Sequence, residues 1–383
     1  MEIRPIISAM LRNKTGAVLV ALQVAFTLAI VVNATFIIVK RMEFVSRDSG
    51  MQVDNLIVLE TMGFAADYDH ESSLKEDRQR LANIPGVKSA IWTQQVPVSG
   101  GGSAEGFRSE SDPDAQREGG NYYFMHNDAL ETLGVKLVRG RNFNEGDIFI
   151  RPDGSNVFPD VAIITQAMEE KLFGEGVDAV GKSIFDDVSH PITVIGVIEK
   201  MHGAWVSWDG LEQVVLFPGM TMGNFSRFMV SAEPEDVAGL VDTIENDLAQ
   251  SSDSRIVRRV RPFSEIVDRS YSRDRAMAIV LGFVIVLLVV ITTLGIIGLA
   301  SFTVRQRTKQ IGTRRAVGAR KLDIVRYFLT ENYLITTLGV ILGAALTIGL
   351  NFYLAQEFEL ERLHPLYLPL GIVGLWILGL LAV

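Results

Sequence analysis

Few side chains in this chain of 383 residues fall into a pattern that a reaction or a bound ligand would need. Gly176, Gly181, Lys182 and Ser183 satisfy the spacing of a phosphate-binding loop. That chemistry needs backbone N–H groups at the start of a helix that follows a strand. Here the match follows a helical stretch, 166–173, and runs into Ile184, Phe185, Asp186 and Asp187, so it reads as a tight turn. His70, His126, His190, His202 and His364 show no metal-ligand spacing, and no serine-hydrolase elbow occurs. The paired carboxylates Glu76/Asp77 and Asp186/Asp187 sit in a segment rich in acids and read as solvated faces. With no cysteine, a thiolate nucleophile, a Cys-ligated zinc and a disulfide framework are excluded. No catalytic, cofactor-binding or metal-binding residue is assigned, and the net charge of −9 argues against a nucleic-acid partner.

The informative residues are apolar. Hydrophobic residues make up 48% of the chain and mean hydropathy is +0.25, an excess for a soluble domain of this length. The excess is concentrated in runs at 17–39, 277–300, 333–354 and 366–383. A bilayer core needs about 20 such residues. The first run is longer than a signal-peptide core and has no small-residue cleavage site before Lys40, so it reads as an anchor. The last run stops without a polar flank, which suggests a chain cut inside a longer natural protein.

Basic residues orient these spans. Arg4, Arg12 and Lys14 precede the first, and the segment 304–326 carries eight basic residues against Asp323 alone. Both belong on the cytoplasmic side. The long segment 40–275, with a net charge of −15, then lies outside, as does the short loop bearing Glu357, Glu359 and Glu361.

Within the outer segment, alternation and turn residues predict a strand at 56–60, a helix at 72–83 and a strand at 87–96. The order returns as a strand at 227–232, a helix at 234–249 and a strand at 255–260. Two βαβ units around an insertion suggest one split α/β subdomain. The insertion reads as a Gly-, Ser- and Asp-rich loop at 100–120 followed by strands at 161–164, 192–198 and 213–217. Residues 264–303 read as one continuous helix, about 60 Å long, its first part a stalk standing out of the membrane.

Two clusters remain as candidate contact sites. Met201, Trp205 and Trp208, with Met220, Met222 and Phe225 nearby, either meet a partner or substrate or cap the insertion's core. In the cytoplasmic loop, Ile311, Ala316 and Val317 lie among basic residues; the loop either serves topology alone or docks into a cytoplasmic protein or against lipid.

The sequence Lys309-Gln310-Ile311-Gly312-Thr313-Arg314-Arg315-Ala316-Val317-Gly318-Ala319 resembles the coupling segment of the MacB/FtsX superfamily (type VII) of ABC transporter permeases, with Gln310 in place of the usual acid. Asn121 to Phe124, Leu133-Gly134-Val135, Arg139 to Phe143, Val161 to Thr165, Leu172-Phe173-Gly174, Val180 to Ser183 and Val194 to Ile198 are similar to a MacB-like periplasmic core.

The resemblance implies an α+β membrane protein with four transmembrane helices and a large extracytoplasmic α/β domain between the first two. It implies a tail at 1–16, spans at 17–39, 277–303, 327–355 and 366–383, a periplasmic core with stalk at 40–275, a coupling loop at 304–326 and an outer loop at 356–365. ATPase-coupling residues would be Gln310, Ile311, Gly312, Arg314, Arg315, Ala316, Val317 and Gly318. ATP and magnesium would sit on a separate ABC ATPase subunit. A second permease copy or paralogue, a periplasmic adaptor and an outer-membrane duct are implied partners in a bacterial inner membrane. Efflux of peptides or drugs from the periplasm is the leading implied activity; lipoprotein release, control of a cell-wall hydrolase, or a receptor role are alternatives.

Overall fold

The computed structural model describes residues 14–152, 154–223, 225–357 and 362–382, with residues 14 and 314 as backbone only. Arg4, Arg12, Glu359 and Glu361 therefore lie outside the described residues. The chain divides into two compact units: Arg47–Ser272, and a helical unit made of Met1–Ser46 with Arg273–Val383. The helical unit begins with α1 (Lys14–Val45).

The other unit opens with β1 (Leu56–Gly63), α2 (His70–Ala82) and β2 (Val87–Thr93). It continues through β3 (Ala104–Phe107), β4 (Glu118–Met125), α3 (Ala129–Leu133), β5 (Leu137–Gly140), β6 (Phe149–Arg151), β7 (Val161–Thr165), α4 (Gln166–Phe173), β8 (Ser183–Phe185), β9 (Pro191–Ile198) and β10 (Val214–Thr221). It closes with β11 (Phe225–Ala232), α5 (Val237–Ser251), β12 (Arg255–Pro262) and α6 (Phe263–Ser270). The two β-α-β passages interlock in the order β12-β1-β11-β2, each neighbour antiparallel, which is the split βαβ plait. Val237, Leu240, Ile244 and Leu248 form one stripe of α5 and share a core with Ile57, Leu59, Leu74, Leu81, Phe228 and Val230.

The insertion continues the same sheet: β2 meets β4 at Thr93 opposite Met125, and the order runs on through β10, β7, β9 and β5. Segment 100–120, expected as a loop, contains β3 and the start of β4. Ala104 to Phe107 pair antiparallel with Asn121 to Glu118, and Phe107 is fully buried, which gives this Gly-rich stretch a strand. Phe107, Tyr122, Phe124, Phe158 and Phe217 form an aromatic core, with the Arg151 guanidinium 5.0 Å from the Phe124 ring centre.

The helical unit continues with α7 (Ser272–Gln306), α8 (Thr308–Ala316), α9 (Lys321–Glu357) and α10 (Tyr367–Leu381). The single helix expected over 264–303 is two helices. Tyr271 is the C-cap of α6, its backbone at φ −94 and ψ 2 departing from helical geometry, and flanking Ser270 and Ser272 are poor helix formers. Thr15–Val45, α7 and α9 are long and apolar enough to cross a membrane. The 15 residues of α10 span about 22 Å, short of the roughly 30 Å hydrocarbon layer.

Small residues bring α1 and α9 together. A Cβ on Gly339 would lie 2.7 Å from the Ala21 carbonyl oxygen, and one on Gly343 would lie 3.0 Å from Ala25. This is a small-xxx-small contact, the usual route to close approach where lipid removes the hydrophobic drive. Asn33 Nδ2 donates to the Ala29 and Thr347 carbonyls at 2.8 and 3.2 Å, and Asn332 Nδ2 donates to the Gly379 carbonyl of α10 at 2.6 Å. The Thr27 and Thr292 hydroxyls join α1 to α7 at 2.7 Å.

Candidate functional site

Between α7 and α9 the chain turns twice, and α8 fills the interval. The first turn is at Arg307, whose N–H still reaches the Thr303 and Val304 carbonyls while its carbonyl accepts from Ile311. Thr308 Oγ1 donates to the Val304 and Arg305 carbonyls, which occupies carbonyls freed where α7 ends. The second turn is at Val317 and Gly318. Gly318 has φ +103, a conformation in which a side chain is strained, and its N–H donates to the Arg315 carbonyl at 3.1 Å. Asp323 Oδ2 then accepts from the Arg320 N–H at 3.0 Å and opens α9.

Arg307 fixes this hairpin to α9. Its guanidinium makes a fork with Glu331, Nη1 to Oε2 at 2.9 Å and Nη2 to Oε1 at 3.1 Å, and Nη1 also reaches the Tyr327 hydroxyl at 3.1 Å. The two side chains are 18% and 10% exposed. Paired this way, two charges are held at low accessibility without an unmatched charge. The sequence marks Arg307 only as one of the topogenic charges and gives Glu331 no role. A lone acid beside a long uncharged run was the signal available.

The expected coupling residues separate into two groups. Ile311 is half-buried and, with Ile324 and Phe328 of α9 and Val304 of α7, lines a cavity of about 660 Å³ rimmed by Arg305, Arg315 and Lys321. Gln310, Gly312, Arg315, Ala316 and Gly318 are exposed, and Val317 at 85% is more exposed than any other large apolar residue of the segment. The Arg314 side chain lies outside the described residues. Ile311, grouped with Ala316 and Val317 from the sequence, thus packs toward its own bundle, because one face of α8 turns to α7 and α9.

The second candidate cluster divides likewise. Met201 is fully buried and offers nothing to a partner, contrary to expectation. Trp205 and Trp208 are half-buried and meet edge to face at 6.1 Å. Trp208 covers Gly119 and Gly210, where a Cβ would come within 3.0 and 2.9 Å of its ring. The segment is pinned by buried Asn121, whose Oδ1 accepts from the Ala204 N–H at 3.0 Å and whose Nδ2 donates to the Gly210 carbonyl at 3.1 Å. The same side chain crowds Gly203, where a Cβ would fall 2.1 Å away. Trp208 thus packs on the start of β4 and on its own loop, while both indoles keep part of their surface exposed. Burial pushes the adjacent His202 imidazole down to about 4, with Glu212 opposing at 3.6 Å.

The stretch resembling a phosphate loop leads into β8, not a helix. Its Ala179 N–H donates to Glu169 Oε1, Val180 to Asp178 Oδ1, Gly181 to the Val194 carbonyl and Lys182 to the Ala179 carbonyl. Lys182 Nζ lies 5.0 Å from the centre of the Phe173 ring. Donors spent in this way make a turn. Among the described residues no group of His, Asp or Glu is arranged to hold a metal.

The profile of the MacB-like periplasmic core domain matches residues 18–247, more than half of the chain, and that of the FtsX-like permease C-terminal matches residues 282–383. The chain belongs to the MacB/FtsX superfamily. Within it, the chain is similar to the macrolide export ATP-binding/permease protein MacB of Chromobacterium violaceum, 27% identical over 264 residues, covering 66% of this chain and 39% of that protein. It is also similar to the pyoverdine export ATP-binding/permease protein PvdT of Pseudomonas savastanoi pv. phaseolicola, 26% identical over 278 residues, covering 71% of this chain and 40% of that protein. The chain thus spans about two-fifths of the length of these curated relatives. The crystal structure of the periplasmic region of MacB from Actinobacillus actinomycetemcomitans aligns over 59% of this chain and 97% of its own at 15% identity, with a TM-score of 0.37. As a MacB/FtsX member, the chain is a membrane protein whose core domain lies outside the cytoplasm, and what it matches are the permease domains.

Proposed function

We propose that this chain is the transmembrane permease subunit of an ABC transporter in a bacterial inner membrane. A separate cytoplasmic ATPase hydrolyses ATP, and the permease converts that cycle into motion of its periplasmic core domain. The observation that carries the reading is the α8 hairpin. It presents Val317 and Ala316 outward on a basic surface while the Arg307–Glu331 fork ties its base to α9. A short helix held at one end and apolar at its exposed tip suits a groove on a cytoplasmic protein, since its position is fixed before docking.

Gln310, Gly312, Arg314, Arg315, Ala316, Val317 and Gly318 form the proposed ATPase contact, with Ile311 supporting it from within. Two permeases, identical or paralogous, act as a dimer. Export of peptide or drug-like molecules from the periplasm, through an adaptor and an outer-membrane duct, is the activity supported by relatives named for macrolide and pyoverdine export.

The test is purification of the full-length protein from its native membranes with identification of bound chains. Recovery of an ABC ATPase is expected, with about tenfold or greater loss on Val317→Asp, the cost of placing a charge in an apolar contact. An ATPase retained undiminished by that variant refutes the docking tip. Recovery of a kinase in its place refutes the permease reading.

A further inference from the structure

Three arginines converge on one cavity of the Arg47–Ser272 unit. The β1–β12 pairing slips by one residue between Val58, opposite Arg261, and Glu60, opposite Arg258. The bulged residue Arg259 has φ +55, a left-handed conformation that costs a bulky residue about 1 kcal/mol or more. The bulge brings Arg259 Nη1 to 3.3 Å from Glu60 Oε2, while Glu60 Oε1 accepts from Arg227 Nε at 3.0 Å. Arg227 Nη1 in turn donates to the Gln94 carbonyl at 2.7 Å.

Together with Arg261 and Val58 these side chains line a cavity of about 510 Å³, with the Gly-rich stretch 99–103 along one wall. Arg261 makes no ion pair with any acid among the described residues, and its buried Nε has no hydrogen-bond partner. The buried Gln94 Oε1 also lacks one. Three guanidinium groups thus face a single carboxylate, in a segment that otherwise carries a large acidic surplus.

We propose that this cavity binds a small solute through an oxyanion, a carboxylate or a phosphate, gripped by Arg259 and Arg261 while Glu60 holds Arg227 and Arg259 in place. Guanidinium forks match both oxyanions, and the volume lies in the range of small-molecule sites. The left-handed Arg259 is the strain expected where a side chain is aimed at a ligand. Arg259 is 57% exposed, so this positive charge is open to solvent and draws anions in preference to the acidic surface around it.

The experiment uses the full-length protein in phosphatidylcholine nanodiscs and calorimetric titration with trialanine, trialanine amide and inorganic phosphate. Trialanine or phosphate is expected to bind, more weakly as salt rises, and about tenfold or more weakly to Arg261→Gln. Arg261→Lys, which keeps the charge and loses the fork, should fall between. Trialanine favoured about tenfold over its amide assigns a carboxylate source; phosphate binding that excludes trialanine assigns a phosphate ester. No binding of either anion at ~10 mM, or equal binding of trialanine and its amide without phosphate binding, overturns the proposal. No ATPase takes part, so failure of the transport reading leaves this result intact.

Discussion

Replacing Glu331 by glutamine tests whether the α8 hairpin is held by its charge fork. The substitution keeps shape and one acceptor but leaves the Arg307 guanidinium, 18% exposed, without its countercharge. Two charge-assisted bonds, at 2.9 and 3.1 Å, are weakened at once. Removing one partner of a buried pair costs about 3–5 kcal/mol. Arg307 keeps its Tyr327 bond and some access to water, so about 2 kcal/mol is the appropriate figure. That corresponds to about a 30-fold rise in local opening. Amide hydrogen exchange across Thr308–Ala316 in nanodiscs reads it directly. Replacing both partners by methionine removes the unpaired charge and should bring exchange back to within about threefold of the native rate. Exchange unchanged in Glu331→Gln, or as fast in the double variant as in the single one, would refute the fork as the element that positions α8.

Other outcomes follow from the same packing. Gly343→Leu places side-chain atoms where α1 backbone and Ala25 already lie, and should lower the melting temperature of the purified protein by several degrees, whereas Gly349→Ala, with open space around it, should not. Phe217→Ala, at the centre of the aromatic core, should cost about 3–5 kcal/mol in denaturant unfolding. Lys182→Ala, which removes only a contact on the Phe173 ring, should leave ATP turnover of an assembled complex unchanged, and its loss there would revive the phosphate-loop reading.

Acid should loosen the core domain in a defined window. His202 is held down at about 4 in the folded chain by burial, against about 6.5 unfolded, so the unfolded state takes up more protons between those values. Stability is therefore full above about 6.5 and is lost as pH falls towards 4, by an amount on the order of 2–3 kcal/mol for this residue. His126, pushed down to about 4 by burial and by Arg78, adds in the same direction. His202→Gln should flatten the pH dependence of the unfolding midpoint, and an unaltered slope would count against the burial argument.

Much of the fold was legible because its signals are local. The α5 stripe, the apolar runs and the turn residues each lie within a few neighbours, so the sequence places both β-α-β passages with edges off by at most three residues. What failed was also physical. Segment 100–120 looks like a loop by composition, but burying Phe107 and pairing with β4 outweighs the poor strand propensity of its glycines. The break at Tyr271 is hidden because hydropathy and length allow an unbroken helix, while the end of α6 depends on the backbone angles of one residue. Ile311 and Val317 read alike in sequence and differ in the fold because α8 has neighbours on one side only.

The polar residues of the spans show the limit of that reading most clearly. Thr27, Asn33, Thr292 and Thr347 lie within apolar runs and Asn332 at the edge of one, and nothing nearby in sequence says what they do. In the structure Thr27 meets Thr292, Asn33 donates to the Thr347 carbonyl, and Asn332 donates to the Gly379 carbonyl. Each bond ties two helices, with partners 265, 314 and 47 residues apart in sequence. A polar group in hydrocarbon must find a partner, so these residues act as glue between helices. The Arg307–Glu331 fork extends the same kind of tie to the helix end from which α8 projects. Thr292→Val should then leave the fold intact while weakening the tie between α1 and α7. Cysteine pairs placed across that contact should crosslink less readily than in the native background, and equal crosslinking would show that the hydroxyl pair holds nothing.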